Sequence, residues 1–394
     1  MNEVNLERRI KRWVWAPEHA FFAMTAPGLE ELAAQELACF TPERPLVRVG
    51  GVSFRGRLEV MYRANLCLAT AGRIWLRLRD FRVRGWDDLL RQAAGVPWEL
   101  YLPPGGPVAL TVTLKDSNLR HSGRVAEELR AAQAARLRGL GLQPPVEAPL
   151  GDPDAFRVAV RGEERRATIS LDASGEHLHR RGYRLETGRA PLREDLAAAL
   201  LHLAGYDGQE TLLDSMCGAG TLAVEAALIA RRLAPGGQRS MGFQAWPSFR
   251  RPAWEHLLRQ AAAAARPSAP SPILARDLDP RALEAAQGNA ARAGVAGDIA
   301  FAPGDFFQAA PPPGPPGLVV LNPPYGRRLG SVRQAERLLQ EIGEHLRRAY
   351  AGWRVGLVLY RPEWAQGLPL RDTARLVVPH GGLTVTLLTG RVGG

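Results

Sequence analysis

Leu212-Leu213-Asp214-Ser215-Met216-Cys217-Gly218-Ala219-Gly220-Thr221 runs directly into an apolar stretch, residues 222–231. Its pattern is a short buried strand that ends in an acid, then a glycine turn, then the start of a helix. Glycine lets a backbone approach a ligand where a side chain would collide, and a helix N-terminus offers N–H groups that have no intrahelical partner. A dinucleotide fingerprint would carry a third glycine, and here Asp214 stands just before the turn instead. That arrangement suits a ligand with a cationic amino group and no pyrophosphate, S-adenosylmethionine, with Asp214, Met216, Cys217, Gly218, Gly220 and Thr221 around it. A tight strand-to-helix turn that binds nothing would have the same outline.

Outward from this stretch, residues 273–277, 299–302, 318–322, 355–360 and 384–388 also read as short apolar strands, mostly separated by helical segments. The alternation predicts an α/β fold, a twisted and mainly parallel sheet with helices on both faces, in which ligands sit at the carboxyl ends of strands. Residues 261–272 and 311–317, rich in alanine or proline, read as exposed connections.

The strand ends carry the chemistry. In Ala275-Arg276-Asp277-Leu278-Asp279-Pro280, Asp277 is placed to accept ribose hydroxyls with Leu278 beside it, while Asp279 caps the helix that Pro280 opens. In Gly304-Asp305-Phe306-Phe307, Asp305 can accept an adenine amino group and Phe306 can cover its ring. The fourth signal is Leu321-Asn322-Pro323-Pro324-Tyr325. An exocyclic amine on a base is a poor nucleophile because its lone pair is delocalised into the ring. A site must hold its hydrogens on acceptors so that the lone pair faces the methyl donor. Asn322 offers an amide oxygen, Pro323 a carbonyl on a turn that Pro323 and Pro324 stiffen, and Tyr325 a face for an extruded base. Asn322 borders the cofactor as well. A DNA adenine methyltransferase could share these four residues.

The first half differs in character. A basic lead with Trp13 and Trp15 precedes a strand at 20–25; Leu29, Leu32, Ala33 and Leu37 recur at helical spacing; 50–54 reads as turn and strand, and 58–71 as a helix. Ile74, Leu76 and Leu78 alternate as a strand, as do residues 108–114; a polar basic loop 115–122, a helix 123–137, a proline-rich linker 143–149 and strands 156–161 and 166–172 follow. This is an α+β module without a phosphate-binding loop, arginine-rich and suited to binding. The whole 394-residue chain carries a net charge of +11 and a pI near 10.3, a field that attracts polyanions, nucleic acid first. Lys11 and Lys115 are its only lysines; arginine suits phosphates, and a GC-rich coding bias also favours it. Three scattered cysteines, Cys39, Cys67 and Cys217, make neither a disulfide framework nor a zinc site, and a reducing cytoplasm is the expected home. No signal peptide or membrane-spanning run is readable.

Together these phrases resemble the THUMP-domain RNA guanine-N2 methyltransferases, most closely the RlmL type that makes N2-methylguanosine in 23S ribosomal RNA. The resemblance rests on 214–221 with Glu225-Ala226-Ala227, on Leu178-His179-Arg180-Arg181-Gly182-Tyr183-Arg184, on Ala190-Pro191-Leu192-Arg193-Glu194, on Thr25-Ala26-Pro27-Gly28-Leu29-Glu30-Glu31-Leu32 and on Gly50-Gly51-Val52-Ser53-Phe54. Ser215 departs from the proline usual in the family. The resemblance implies an N-terminal extension at 1–19, a ferredoxin-like subdomain at 20–70, an RNA-binding THUMP domain at 71–172 and a Rossmann-like methyltransferase domain at 173–394. It implies one methyl transfer from S-adenosylmethionine to a flipped guanine, without metal, by a monomer. RNA contacts are expected at Lys115, Asn118, Arg120, Arg180, Arg181 and Arg184. A tRNA substrate is the nearest alternative, and a non-catalytic RNA-binding assembly factor is the alternative of another class.

Overall fold

Where every second residue is apolar, a strand can bury only one face; where all are apolar, it buries both. The computed structural model, which describes residues 3–185, 192–324 and 332–393, builds one sheet of each kind. The first has eight strands: β1 (His19–Thr25), β2 (Leu46–Arg48), β3 (Gly51–Gly56), β4 (Ala71–Arg82), β5 (Pro107–Lys115), β6 (Val146–Glu147), β7 (Phe156–Glu163) and β8 (Arg166–Asp172). Their order is β2-β3-β1-β4-β8-β7-β5-β6. Around them lie α1 (Glu3–Ile10), α2 (Glu30–Ala38), α3 (Leu58–Cys67), α4 (Trp86–Gly95) and α5 (Ser122–Gly139). β4 pairs with both β1 and β8, so one sheet runs through the whole first half.

The helix expected at 58–71 stops at Cys67, and Ala71 already belongs to β4. The cause is Glu36 on α2, whose carboxylate accepts the Ala69 and Thr70 amides at 3.2 Å and draws the chain out of the helix. Helix α4 is an addition to that reading, although Trp86, Leu89, Leu90 and Ala93 recur at helical spacing with Asp87, Asp88 and Arg91 on the opposite face.

The second sheet holds β9 (Leu212–Asp214), β10 (Ile273–Asp277), β11 (Ile299–Pro303), β12 (Leu318–Leu321), β13 (Arg354–Leu359), β14 (Leu370–His380) and β15 (Leu383–Val392) in the order β11-β10-β9-β12-β13-β15-β14. The first five run parallel; β15 and β14 add antiparallel strands at one edge. Helices α6 (Glu194–Leu203), α7 (Thr221–Ala230), α8 (Arg251–Ala264), α9 (Pro280–Arg292) and α10 (Val332–Ala349) accompany them. The predicted connection at 261–272 is helical as far as Ala264, since alanine favours a helix over a loop.

The two halves share a core. Phe243 stacks on Tyr62 of α3 at 4.3 Å, Trp254 meets the same ring edge-on, and the Gly242 and Phe243 amides donate to the Ser174 and Ala173 carbonyls at 3.0 and 2.9 Å. Removing residues 1–172 would therefore strip the cover from Phe243, Trp246 and Trp254, all buried, so that deletion cannot isolate RNA binding.

Candidate active site

Register brings the four sequence signals together. Asp214 at the end of β9 lies between Ala275 of β10 and Val320 of β12, so the residues that follow each strand emerge on one edge of the sheet. There a cavity of about 370 Å³ is lined by Met216, Cys217, Gly218 and Thr221 of the glycine turn, by Asp277 and Leu278, by Asp305 and Phe306, and by Asn322 and Pro324. Ser215, Ala219, Leu222, Gly304, Phe307, Leu192 and Leu338 complete its wall. Phe307 and Ser215 stood inside quoted motifs and were not assigned to the wall; the Ser215 hydroxyl is buried without a hydrogen-bond partner. Leu338 comes from α10, and nothing local in the sequence marks it.

The two glycines of the turn divide their work. Gly218 has φ +53 and no atom within 4 Å of where a Cβ would stand, so that side of the turn is open. Gly220 has φ +79, and its Cβ would meet Ala286 of α9 at 2.8 Å. Gly220 stands back from the cavity wall, and its missing side chain lets α7 approach α9.

Asp277 ties the site together, its Oδ2 accepting the Gly218 amide at 2.8 Å and its Oδ1 the Asp279 amide at 3.0 Å. Each carboxylate oxygen keeps a further lone pair. Asp279 caps α9 by accepting the Arg281 amide at 2.9 Å. Asp214 is fully buried behind the cavity wall, with no well-formed hydrogen bond to either carboxyl oxygen. Burial, reinforced by the nearby Asp277 charge and only partly offset by the Ala223 and Met216 amides, pushes its pKa up to about 8. Burial likewise raises the Cys217 thiol far above its usual range, which removes it as a nucleophile.

Asp305 is held by the Phe307 amide at 3.0 Å and the Gln308 side chain at 3.1 Å. Phe306 is anchored in the core, stacked at 5.7 Å on Tyr350 and edge-on at 4.7 Å to His345, whereas Phe307 stays partly exposed. Asn322 is partly exposed, yet its Oδ1 is buried and lacks a hydrogen-bond partner. Pro323 is buried and lines a separate small void with Ala335, Leu339, Tyr360 and Trp364. Tyr325 lies outside the described residues.

The expected RNA contacts separate as clearly. Arg181 is only 2% exposed; it donates to the Leu178 and Ala69 carbonyls at 2.6 Å and faces Glu225, so it is a strut between the halves and not an RNA contact. Arg184 is turned inward to the Leu192 carbonyl and Glu194. Lys115, Asn118, Arg120 and Arg180 are exposed, Arg180 beside Glu176. Among the described residues no cluster of three His, Cys, Asp or Glu could hold a metal, and no helix is long and apolar enough to cross a membrane.

A parallel sheet with a glycine turn after its central strand and one cavity across its strand ends defines the Rossmann-like methyltransferases. The chain belongs to one family of them, described as RMKL-like methyltransferase domains, which matches residues 181–377; an RlmL ferredoxin-like domain matches residues 20–75. It is 33% identical over 374 residues to slr0064 of Synechocystis sp., named as a candidate RNA methyltransferase, covering 95% of this chain and 97% of that protein. It is 36% identical over 379 residues to the ribosomal RNA large subunit methyltransferase K/L of Syntrophotalea carbinolica, covering 93% of this chain and 53% of that protein. The chain thus spans about half the length of the K/L relatives it matches. Among solved structures, SMU.472, a candidate methyltransferase complexed with S-adenosylhomocysteine, aligns with a TM-score of 0.82 at 26% identity, over 96% of this chain and 98% of that one.

Proposed function

We propose that the chain is an S-adenosylmethionine-dependent RNA methyltransferase that methylates the N2 amine of a guanine in 23S ribosomal RNA, the base being turned out of its stack toward Asn322. The observation that carries this reading is the buried, unpartnered Oδ1 of Asn322 at a cavity that the Gly218 turn also lines. An acceptor left without a donor costs about 1–3 kcal/mol, and an amine on a base would supply what it lacks. The open Gly218 side, the buried Asp214 carboxyl and the Asp277 and Asp305 carboxylates fit a donor that carries a cationic amino acid end, a ribose and an adenine.

When bound, S-adenosylmethionine supplies a methyl group on a sulfonium leaving group. The residues of the chain do the orienting. Asn322 Oδ1 and the Pro323 carbonyl accept the two amine hydrogens, which turns the nitrogen lone pair toward the donor, and Tyr325 stacks on the base. Asp277 meets the ribose hydroxyls, Asp305 the adenine amine, and Phe307 with Leu338 excludes water. Upstream, residues 20–70 serve as the ferredoxin-like subdomain and 71–172 as a THUMP domain that presents the RNA, with 1–19 as an extension and 173–394 as the catalytic domain of a monomer. The net charge of +11 and the names of the relatives support RNA as the partner.

The test is methylation of total RNA by purified protein with labelled donor, followed by nucleoside analysis and mapping. N2-methylguanosine in large-subunit RNA is expected. Label in tRNA would overturn the choice of RNA, and label in DNA adenine would overturn the substrate class.

A further inference from the structure

Among the described residues, helices cover only one face of the eight-stranded sheet. Along β1, Phe21 and Ala23 enter the core cluster, while Ala20, Phe22 and Met24, which point the other way, enter none; on β4, Ile74 and Leu76 enter it and Trp75 does not. Two large aromatic rings therefore sit partly exposed on a face that no core claims.

Strand register arranges this face in rows. Ser53, Phe22 and Trp75 are successive partners on β3, β1 and β4, and the next row is Arg55, Ala20 and Arg77, continued by Ser170 and Ala159 on β8 and β7. Neighbouring strands lie about 4.8 Å apart, so the two aromatic residues are register neighbours and the two arginines flank a single methyl group. The Arg77 guanidinium lies 4.9 Å over the Phe22 ring, and that of Arg73, buried and paired with Asp172, lies 5.9 Å from the Trp75 ring and holds it in place. Neither Arg55 nor Arg77 makes an ion pair among the described residues; two acids, Glu43 and Asp80, line the same depression, and Asp80 is engaged by Arg166. Burial lowers the Arg77 pKa, Asp80 works against that shift, and the Arg161 and Arg48 guanidinium groups add to it. Around the same depression Arg44, Arg55, Arg77 and Arg79 outnumber Glu43 and Asp80, so the face carries an excess of positive charge.

We infer that this open face is a platform for single-stranded RNA, with bases stacking on the Phe22 and Trp75 rings while Arg55 and Arg77 meet the phosphates. The inference rests on RNA being the substrate. Stacking needs bases already free of a duplex, and a flat sheet with rings and arginines offers each free base a π face and each phosphate a fork. An acidic peptide would satisfy the arginines and leave the rings unused.

Binding of a short labelled oligoribonucleotide, single-stranded or annealed, is to be measured by fluorescence anisotropy at several salt concentrations for the full chain and for Trp75→Ala, Phe22→Ala, Trp75→Phe and the double change Arg55→Glu with Arg77→Glu. Thermal melting and donor titration of each variant report that the fold and the catalytic half are intact. Trp75→Ala should weaken single-strand binding roughly 5- to 100-fold with the salt dependence unchanged, and Trp75→Phe should restore most of the loss. The double charge reversal should lower the slope of log affinity against log salt by about 1.4. Unchanged affinity in all variants, or an annealed duplex bound as tightly and weakened equally by Trp75→Ala, overturns the platform. A full chain that binds donor but neither form of RNA overturns the RNA reading itself.

Discussion

On β12, Leu318 and Val320 enter one core cluster and Val319 and Leu321 another, whereas on β1 only alternate residues enter any cluster. A sheet buried on both faces has only its strand ends free for chemistry, and in the second half those ends carry the Gly218 turn, Asp277, Asp305 and Asn322. A sheet buried on one face keeps the other available, and in the first half that face carries arginines and two aromatic rings. The contrast assigns different kinds of work to two sheets of similar size before any ligand is considered: group transfer needs a dry, enclosed edge, and recognition of a long flexible polymer needs an open plane.

The sharpest break in that contrast comes at the strand ends. Asn322→Ala should lower methyl transfer by about a thousandfold or more, while donor affinity stays near that of the parent. The substitution should also leave the melting temperature almost unchanged, because the Oδ1 it removes has no hydrogen bond to lose. Single-turnover assays beside a donor titration measure this, and normal turnover would take Asn322 out of the mechanism. Next in size is the effect of burial itself. Val319→Ala, within a strand covered on both sides, should cost about 2–3 kcal/mol in denaturant melts, whereas Ser170→Ala on the open face should stay within about 0.5 kcal/mol. Equal costs would mean that the two sheets are covered alike.

Within the glycine turn the same logic separates two neighbours. Gly220→Ala should cost about 2 kcal/mol, because a left-handed backbone and a collision with Ala286 coincide there. Gly218→Ala should cost about 1 kcal/mol through its backbone alone, and its loss should fall mainly on donor affinity. Denaturant melts and calorimetric titration of both variants distinguish these outcomes. A larger stability loss at Gly218 would reverse their roles.

What could be read from the chain beforehand follows from how local each signal is. The parallel strands are continuous apolar runs, and each catalytic phrase sits immediately after one, so β9 to β12 and most of the cavity wall were legible without packing information. β14 was not, because its outer position leaves most of its residues exposed and erases the apolar run. Arg181 departs for a related reason: its charge suggests the surface, yet two carbonyls and the Glu225 carboxyl hold it in the interior. The arm through Phe243, Trp246 and Trp254 that enters the core of the first half has no signature at all, since its partners, Tyr62 among them, lie far away along the chain.

The smallest expected effect concerns Asp214, which belongs to the buried sheet but serves the cavity. In the folded chain its carboxyl holds its proton up to about pH 8, whereas the ordinary value is 3.8. Between those values the folded state keeps a proton that the unfolded state has released, so rising pH favours unfolding, and the whole penalty is present above pH 8. Asp214→Asn removes that dependence: the ligand-free variant should melt with the parent near pH 4 and a few degrees above it at pH 8. The same change removes a carboxyl that can ionise beside a cationic donor, so donor affinity should fall by about tenfold near pH 8, where the parent carboxyl is most readily ionised, as stability rises. Paired melting curves and titrations across this range would show the two effects moving in opposite directions. If both stayed flat, the buried carboxyl would be serving neither the fold nor the site.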